Sequence, residues 1–140
     1  MSTAGNPEPV GGFGPLGTSS IVPQIPVTNL ARARGFYVDR LGLVVVDERV
    51  PGVVLLEAGN RSRVLLYARS PVRRDHAVAG FIVGNLQDAV AQLRAAGVGF
   101  ISFAMPDGTP VDGGVAQVGA ATAGWFKDSE GNILSLNARS

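Results

Sequence analysis

The chain has 140 residues, of which 46% are hydrophobic and 16% charged, with 12 lysine and arginine residues against 11 aspartate and glutamate residues and no cysteine. This length suits one domain, and so much apolar surface predicts a globular core rather than a disordered chain. Because the basic residues are scattered rather than clustered, we expect no nucleic-acid partner. The lack of cysteine excludes disulfides, thiolate nucleophiles and thiolate metal ligands.

The N-terminal region differs from the rest of the chain. Residues 1–20 are rich in glycine and proline and have no apolar periodicity, so we expect a flexible leader, or a segment that Phe13 and Leu16 anchor on the domain or on a partner subunit. No apolar run approaches the about 20 residues that cross a bilayer, and the N-terminus has no signal-peptide pattern. The expected location is therefore cytoplasmic, and a single domain is predicted over residues 21–140.

From residue 21 onward one pattern occurs twice, at an interval of 56 residues. Four positions carry the same residue in both copies: Val27, Asn29, Leu30 and Ala33 in the first, and Val83, Asn85, Leu86 and Ala89 in the second. In each copy an apolar run precedes the asparagine and apolar residues at helical spacing follow it, which predicts a strand, an N-cap and an amphipathic helix. Gly42 and Gly97 are predicted to end the two helices.

Each predicted helix is followed by three short runs rich in β-branched and aromatic residues, which we interpret as strands. They cover residues 43–46, 53–57 and 64–67 in the first copy, and 100–103, 120–126 and 133–137 in the second. Residues 105–119 are rich in glycine and aspartate and are predicted to form a loop, either a lid over a pocket or an irregular connection. This order predicts two tandem βαβββ modules, at about residues 21–70 and 77–138.

A βαβββ module with a single helix covers only one face of its sheet. Two such modules side by side are expected to curl their uncovered faces around a cleft, where a small-molecule site would lie. The predicted fold class is therefore α+β, with a curled mixed sheet around a cleft.

Two segments of the chain carry a family pattern. The first runs from VTNL at residues 27–30 through FY at 36–37 to LGL at 41–43, and the second is WFKDSEGNILSL at residues 125–136. Together they resemble the vicinal oxygen chelate superfamily, which includes glyoxalase I, extradiol dioxygenases, fosfomycin-inactivating enzymes and metal-free bleomycin-binding proteins. The resemblance covers about residues 21–138 and implies the double-module fold and a homodimer. Asn29 and Asn85 stand where aspartate is usual, and Ser129 stands where proline is usual.

In that superfamily four positions usually bind a metal ion. The resemblance places them at Val22, Val78, Leu66 and Ser135. Zinc, nickel, iron and manganese need imidazole or carboxylate ligands when cysteine is absent. Valine and leucine offer none, and a neutral hydroxyl alone cannot hold the ion. We therefore expect a member of the superfamily that lacks the usual metal ligands and uses no cofactor.

Three further residues are candidates for a site. Gln24 lies two residues after Val22, so strand alternation points its amide into the same cleft, unless the amide binds backbone at the seam between the modules. Trp125 either stacks on a planar ligand or packs in the core. His76 is the only histidine and is expected on the surface or at a strand edge, because a single imidazole makes a poor metal site.

Five carboxylates lie at predicted strand ends or turns: Asp47, Glu48, Glu57, Asp128 and Glu130. We expect them to be solvated, and no spacing among them requires a catalytic pair. No catalytic residue is assigned, and whether the chain is an enzyme stays open.

The sequence thus predicts a metal-free cleft that binds a small apolar or aromatic metabolite or antibiotic. The predicted lining residues are Val22, Gln24, Leu66, Val78, Trp125 and Ser135. The net charge of +1 disfavours the cationic bleomycin itself. Two alternatives stay open: an enzyme of the glyoxalase, isomerase or dioxygenase type, with a displaced metal site or metal-free acid–base chemistry, and a structural or regulatory dimer with a filled cleft.

Overall fold

The computed structural model describes residues 11, 14–71, 75–104, 108, 110–111, 113–118 and 121–139. Most of the predicted leader, including Phe13, lies outside these residues. The described part of the leader contains a turn in which the Gly17 N–H donates to the carbonyl of Gly14 over 3.1 Å. Leu16 lies in this turn with 78% of its surface exposed, so it does not anchor the segment on the core of its own chain.

The first module follows the predicted βαβββ order. Its elements are β1 (Gln24–Val27), α1 (Leu30–Gly35), β2 (Val44–Asp47), β3 (Val53–Glu57) and β4 (Arg63–Ala68). The four strands form one sheet in the order β1-β4-β3-β2, in which β1 runs parallel to β4 and the other neighbours are antiparallel. A 3-10 turn at Gly59–Arg61 joins β3 to β4.

The second module repeats this topology. Its elements are β5 (Ala77–Ile82), α2 (Leu86–Ala95), a separate ribbon of β6 (Phe103–Ala104) and β7 (Pro110–Val111), and then β8 (Val115–Val118), β9 (Ala121–Lys127) and β10 (Ile133–Arg139). The second sheet has the order β5-β10-β9-β8, with β5 parallel to β10. The predicted α+β fold of two tandem modules is therefore confirmed.

One strand of the second module was predicted wrongly. Of the predicted strand at 100–103, Phe103 belongs to the ribbon and Phe100 forms a single bridge to Phe126, while β8, inside the predicted loop at 105–119, takes the edge of the sheet. Gly114 makes this path possible, because its φ is +77° and an added Cβ would come within 2.5 Å of the Phe100 Cβ. A glycine that signals a loop in sequence thus lets the chain pass closely into the edge strand.

Both predicted N-caps are confirmed. The Asn29 side-chain oxygen accepts from the Arg32 N–H over 2.9 Å, and the Asn85 side-chain oxygen accepts from the Asp88 N–H over 3.0 Å. Each cap satisfies a backbone donor that the first turn of a helix leaves without a partner. The repeat in the sequence therefore corresponds to a repeat in the structure.

The first helix widens after α1. It continues as a π-helical segment, Phe36–Arg40, and the chain leaves it at Gly42, whose φ is +83°. Within this segment Tyr37 is directed inward, and none of its surface is exposed. Among the described residues, no helix is long and apolar enough to cross a membrane.

One hydrophobic core joins the two modules. Its large buried side chains include Ile25, Tyr37, Leu56 and Leu66 from the first module, and Phe126 and Leu134 from the second. Each sheet contributes alternate residues to this core, as a strand with one buried face must. The opposite faces are far more open, since Val44 on β2 is 64% exposed and Ile82 on β5 is 88% exposed. Each module thus buries one face of its sheet and leaves the other uncovered.

Candidate functional site

A cavity of about 670 Å³ lies where the two modules meet. Its walls are the segment before β1 (residues 20–23), the beginning of β4 with the end of the 3-10 turn (61–64), and the middle of β5 (79–81). Core side chains, among them Ile25, Tyr37 and Leu134, close it from the inside. Sites for small organic ligands are typically ~300–1,000 Å³ and mostly apolar, so this cavity has the size of such a site.

The wall of the cavity is mainly carbon. Arg61 and Arg63 are its charged side chains, and no carboxylate lines it among the described residues. Arg63 forms an ion pair with Glu57 over 3.0 Å. The Tyr37 hydroxyl already donates to Asp128 over 2.7 Å, so it is not left unpaired in the cavity. The wall therefore combines apolar surface with positive charge.

The predicted lining residues are not gathered in one place. Val22 lies on the cavity wall. Gln24 is exposed on the uncovered face of the first sheet, beside Leu65 of β4. Val78 is half-buried at an irregularity in the pairing of β5 and packs against the core. These three residues thus lie in three different environments.

Trp125 and Ser135 lie side by side on the uncovered face of the second sheet, as cross-strand partners in β9 and β10. The Trp125 ring packs edge-on against Phe103, with the ring centroids 5.2 Å apart. The Ser135 hydroxyl accepts a hydrogen bond from the Asn137 amide over 3.1 Å, and Gly80 leaves room for it, since a Cβ there would come within 2.4 Å of the Ser135 Oγ. This face offers an indole and a hydroxyl, but neither lines the cavity.

The expectation for Leu66 needs a correction. β1 pairs Gln24 with Leu65, so Leu66 points to the opposite, core-facing side, and none of its surface is exposed. In the second module the residue 56 positions after Gln24 is Gly80, which pairs with Ser135. Leu65 is therefore the counterpart of Ser135, one residue before the predicted position, and a shift of one residue along a strand reverses the face.

The corrected set of family metal positions does not fit a metal ion. It consists of Val22, Leu65, Val78 and Ser135. Three hydrocarbon side chains and one neutral hydroxyl supply no ligand of the kind that zinc, nickel or iron needs. Within the described part of the chain, no group of three or more histidine, aspartate or glutamate side chains is placed to hold a metal. His76 lies on the surface just before β5, as predicted, with its Nδ1 3.0 Å from a carboxylate oxygen of Asp75.

A buried polar network joins the two modules, and its central group is the carboxylate of Glu130. One oxygen accepts from the backbone N–H groups of Thr28 and Asn29 at 3.1 and 2.9 Å and from the Thr28 hydroxyl at 2.8 Å. The Arg32 guanidinium binds both oxygens, at 2.7 and 3.0 Å. Only 1% of the Glu130 side chain is exposed. The hydrogen-bonded guanidinium of Arg32, more than any other group, lowers the pKa of Glu130 to about 2.

Asp128 and Asn132 complete the network. The Tyr37 hydroxyl donates to Asp128, and the Asn132 amide donates both to Asp128 and to the carbonyl of Pro26, each over 2.9 Å. Burial, followed by the negative charge of Asp128, raises the pKa of Tyr37. The prediction that Asp128 and Glu130 are solvated turn carboxylates is therefore wrong. The signal that could have found them is the position of DSEGN, residues 128–132, inside the second segment that carries the family resemblance.

The protein thus consists of two βαβββ modules of the same topology, joined around an apolar cavity. The family model of the Glyoxalase/Bleomycin resistance protein/Dioxygenase superfamily matches residues 19–136. The chain therefore belongs to this superfamily, as the resemblance implied. No curated protein matches the sequence.

Several solved structures share the fold. TnmS3, an antibiotic binding protein from Streptomyces sp. CB03234, is 19% identical with a TM-score of 0.64, over 88% of this chain and 98% of that one. FosX, a fosfomycin resistance protein from Listeria monocytogenes, is 11% identical with a TM-score of 0.66, over 88% and 94%. Lactoylglutathione lyase from Agrobacterium tumefaciens is 17% identical with a TM-score of 0.60, over 86% and 93%. At these identities the likeness establishes a common fold alone.

The Glu130 network predicts a specific dependence of stability on pH. Because the folded-state pKa of Glu130, about 2, lies below its ordinary value of 4.5, the carboxylate stabilises the fold above about pH 4.5, and this contribution is lost as the pH falls toward 2. Glu130→Gln removes the charge that Arg32 binds and should lower the free energy of unfolding at pH 7 by about 2 kcal/mol. The deficit should be constant from about pH 7 to pH 4.5 and should shrink as the pH falls from about 4.5 toward 2, as measured by urea unfolding.

Glu48→Gln is the matched control, because it breaks the solvent-exposed ion pair between Glu48 and Arg34. Exposed pairs contribute little, so this variant should differ far less from the wild type at every pH. Equal losses in the two variants, or a Glu130→Gln deficit that stays constant as the pH falls toward 2, would contradict the role assigned to Glu130.

Proposed function

We propose that the protein binds a small apolar or aromatic molecule, a metabolite or an antibiotic, without a metal ion. The observation that carries the proposal is the cavity of about 670 Å³ between the modules, whose wall is mainly carbon. Burial of apolar ligand surface would supply most of the binding free energy, at roughly 25 cal/mol per Å² removed from water. A few polar groups at the edge would fix the orientation of the ligand.

The metal-free part of the proposal rests on residue chemistry. Val22, Leu65, Val78 and Ser135 stand at the family metal positions once the strand register has corrected Leu66 to Leu65, and none of them is an imidazole or a carboxylate. The fold relationship to TnmS3, whose description is that of an antibiotic binding protein, supports antibiotics as one ligand class to test.

Gln24, Val78, Trp125 and Ser135 stay proposed ligand contacts although they lie outside the cavity wall. The supporting observation is that the cavity adjoins the uncovered face of the second sheet. Gly80 lines the cavity and packs directly against the Ser135 hydroxyl. A ligand that extends past Gly80 would therefore reach that face. The indole of Trp125 is the cross-strand neighbour of Ser135 on that face.

We also propose that two copies of the chain pair through the uncovered faces. Val44 and Val46 on the first sheet are 64% and 40% exposed, and Ile82 on the second is 88% exposed. Apolar side chains on both uncovered faces are typical of a surface that a partner covers. Pairing would bring the proposed contacts on these faces out of solvent.

Filling the cavity is expected to abolish ligand binding. In a thermal-shift screen of aromatic metabolites and antibiotics, at least one compound at about 100 times its dissociation constant should stabilise the wild type by roughly 2.7 kcal/mol, which raises the melting temperature by several degrees. Val22→Trp places an indole on the cavity wall and should remove that shift. Leu16→Trp adds the same side chain at an exposed position before the cavity segment and should keep it. A screen without hits, or a thermal shift that is unchanged in Val22→Trp, would contradict the proposal.

Metal content is a second, independent test. Protein purified without chelator and with its affinity tag removed should carry far less than one zinc, nickel, iron or manganese ion per chain by plasma mass spectrometry. The content should stay low after incubation with each metal and gel filtration. A stoichiometric ion would contradict metal-free binding and favour an enzyme with a displaced metal site, and His76→Ala would show whether the only histidine binds that ion.

The proposed pairing predicts a dimer that a charge on the uncovered face disrupts. The wild type should have twice the chain mass by light scattering, and Ile82→Glu should shift it to a single chain, because a buried unpaired carboxylate is costly. Val50→Glu, at a 61% exposed position in the turn between β2 and β3, is the control and should remain dimeric. A monomeric wild type at about 100 μM, well above the dissociation constants of most stable dimers, would refute the pairing.

A further inference from the structure

The charged side chains of the cavity wall are all positive among the described residues. Its charged side chains are Arg61 and Arg63, and the described residues supply no carboxylate to it. Arg63 is partly neutralised, because its guanidinium contacts Glu57 at 3.0 Å. Arg61 is different, since no described carboxylate lies within ion-pair distance of it. Within the described part of the chain, the positive charge of Arg61 therefore stands without an ion-pair partner at the edge of an apolar cavity.

The backbone holds Arg61 at this edge. Arg61 and Asn60 both adopt the left-handed conformation, with φ of +59° and +55°. The turn is closed by hydrogen bonds from the Ala58 N–H to the Ser62 carbonyl at 2.8 Å and from the Ser62 hydroxyl to the Gly59 carbonyl at 2.6 Å. The base of the Arg61 side chain is thus fixed, whereas the residue is exposed and forms no ion pair with any described residue.

We infer that the ligand is an organic anion, with an apolar or aromatic body that fills the cavity and a single carboxylate, sulfonate or phosphonate that the guanidinium of Arg61 binds. This inference rests on the proposed function of the same cavity. A planar guanidinium offers two parallel N–H donors to such a group, which is a stronger arrangement than a neutral hydrogen bond. Next to apolar surface the attraction is screened less than in bulk water, so the charge selects among ligands of equal apolar area. A cation of the same size would be disfavoured by both arginines.

The test uses two dyes with nearly the same rings, the anion 8-anilinonaphthalene-1-sulfonate and the neutral N-phenyl-1-naphthylamine, titrated by fluorescence on the full chain. Arg61→Asn removes the charge and retains a residue that tolerates the left-handed conformation, so its melting temperature should not fall. It should weaken binding of the sulfonate about tenfold and of the neutral dye less than about twofold. Arg61→Lys should restore most of the sulfonate affinity, because it restores the charge.

Arg69→Asn is the matched control, because it removes the same charge from an exposed position that does not line the cavity. It should leave both affinities unchanged. Val22→Trp and, as a second filling variant, Ala58→Phe should abolish binding of both dyes. If neither dye binds saturably, or if both filling variants leave binding unchanged, the cavity is not the ligand site and the proposed function fails. If the filling variants act as expected but Arg61→Asn affects the two dyes equally, the function stands and the anion inference is overturned.

Discussion

The buried carboxylate of Glu130 ties the end of the second module to the beginning of the first. It accepts hydrogen bonds from the backbone of Thr28 and Asn29, where α1 begins, while its own segment leads into β10. Tyr37 links this joint to the cavity, because it lines the cavity and donates its hydroxyl to Asp128 of the same segment. The network thereby holds Tyr37, a side chain that closes the cavity from the inside, against the second module. A charged group so thoroughly hydrogen-bonded cannot move without leaving donors unpaired, which makes the joint rigid.

The cavity exists because the modules are joined by side chains and not by a backbone ladder. β1 and β5 are edge strands of their own sheets, and no described strand pairs across the seam. A seam made of side chains can change its lining without disturbing either sheet, whereas a substitution within a ladder must preserve pairing and register. This accounts in physical terms for a fold that recurs in proteins described as an antibiotic binding protein, a fosfomycin resistance protein and a lactoylglutathione lyase.

Local patterns predicted the fold well, because the 56-residue repeat, the caps at Asn29 and Asn85 and most strands are set by neighbours in sequence. The errors arose where contacts between residues far apart in sequence determine the structure. β8 is hidden by the two glycines before it, and no local pattern reveals that Gly114 packs closely against Phe100. Leu66 was placed one residue out of register, since alternation alone does not say which of two adjacent leucines faces outward. Glu130 lies in a polar segment that is typical of a solvated turn. It is buried because the beginning of α1, in the other module, packs against it.

What the cleft can do follows from how its groups would act on a bound molecule. A metal ion accelerates a reaction because it stabilises the charge that develops in the transition state. Hydrocarbon walls hold the ground state and the transition state about equally, and such uniform binding lowers a dissociation constant without raising the rate of the chemical step. Val22 and Leu65 are hydrocarbon side chains at positions where metal ligands would stand, so under the proposed function the binding free energy of a ligand would serve its retention. The residue chemistry of the cleft thus supports the proposed function, retention of a bound molecule, over the alternative of an enzyme.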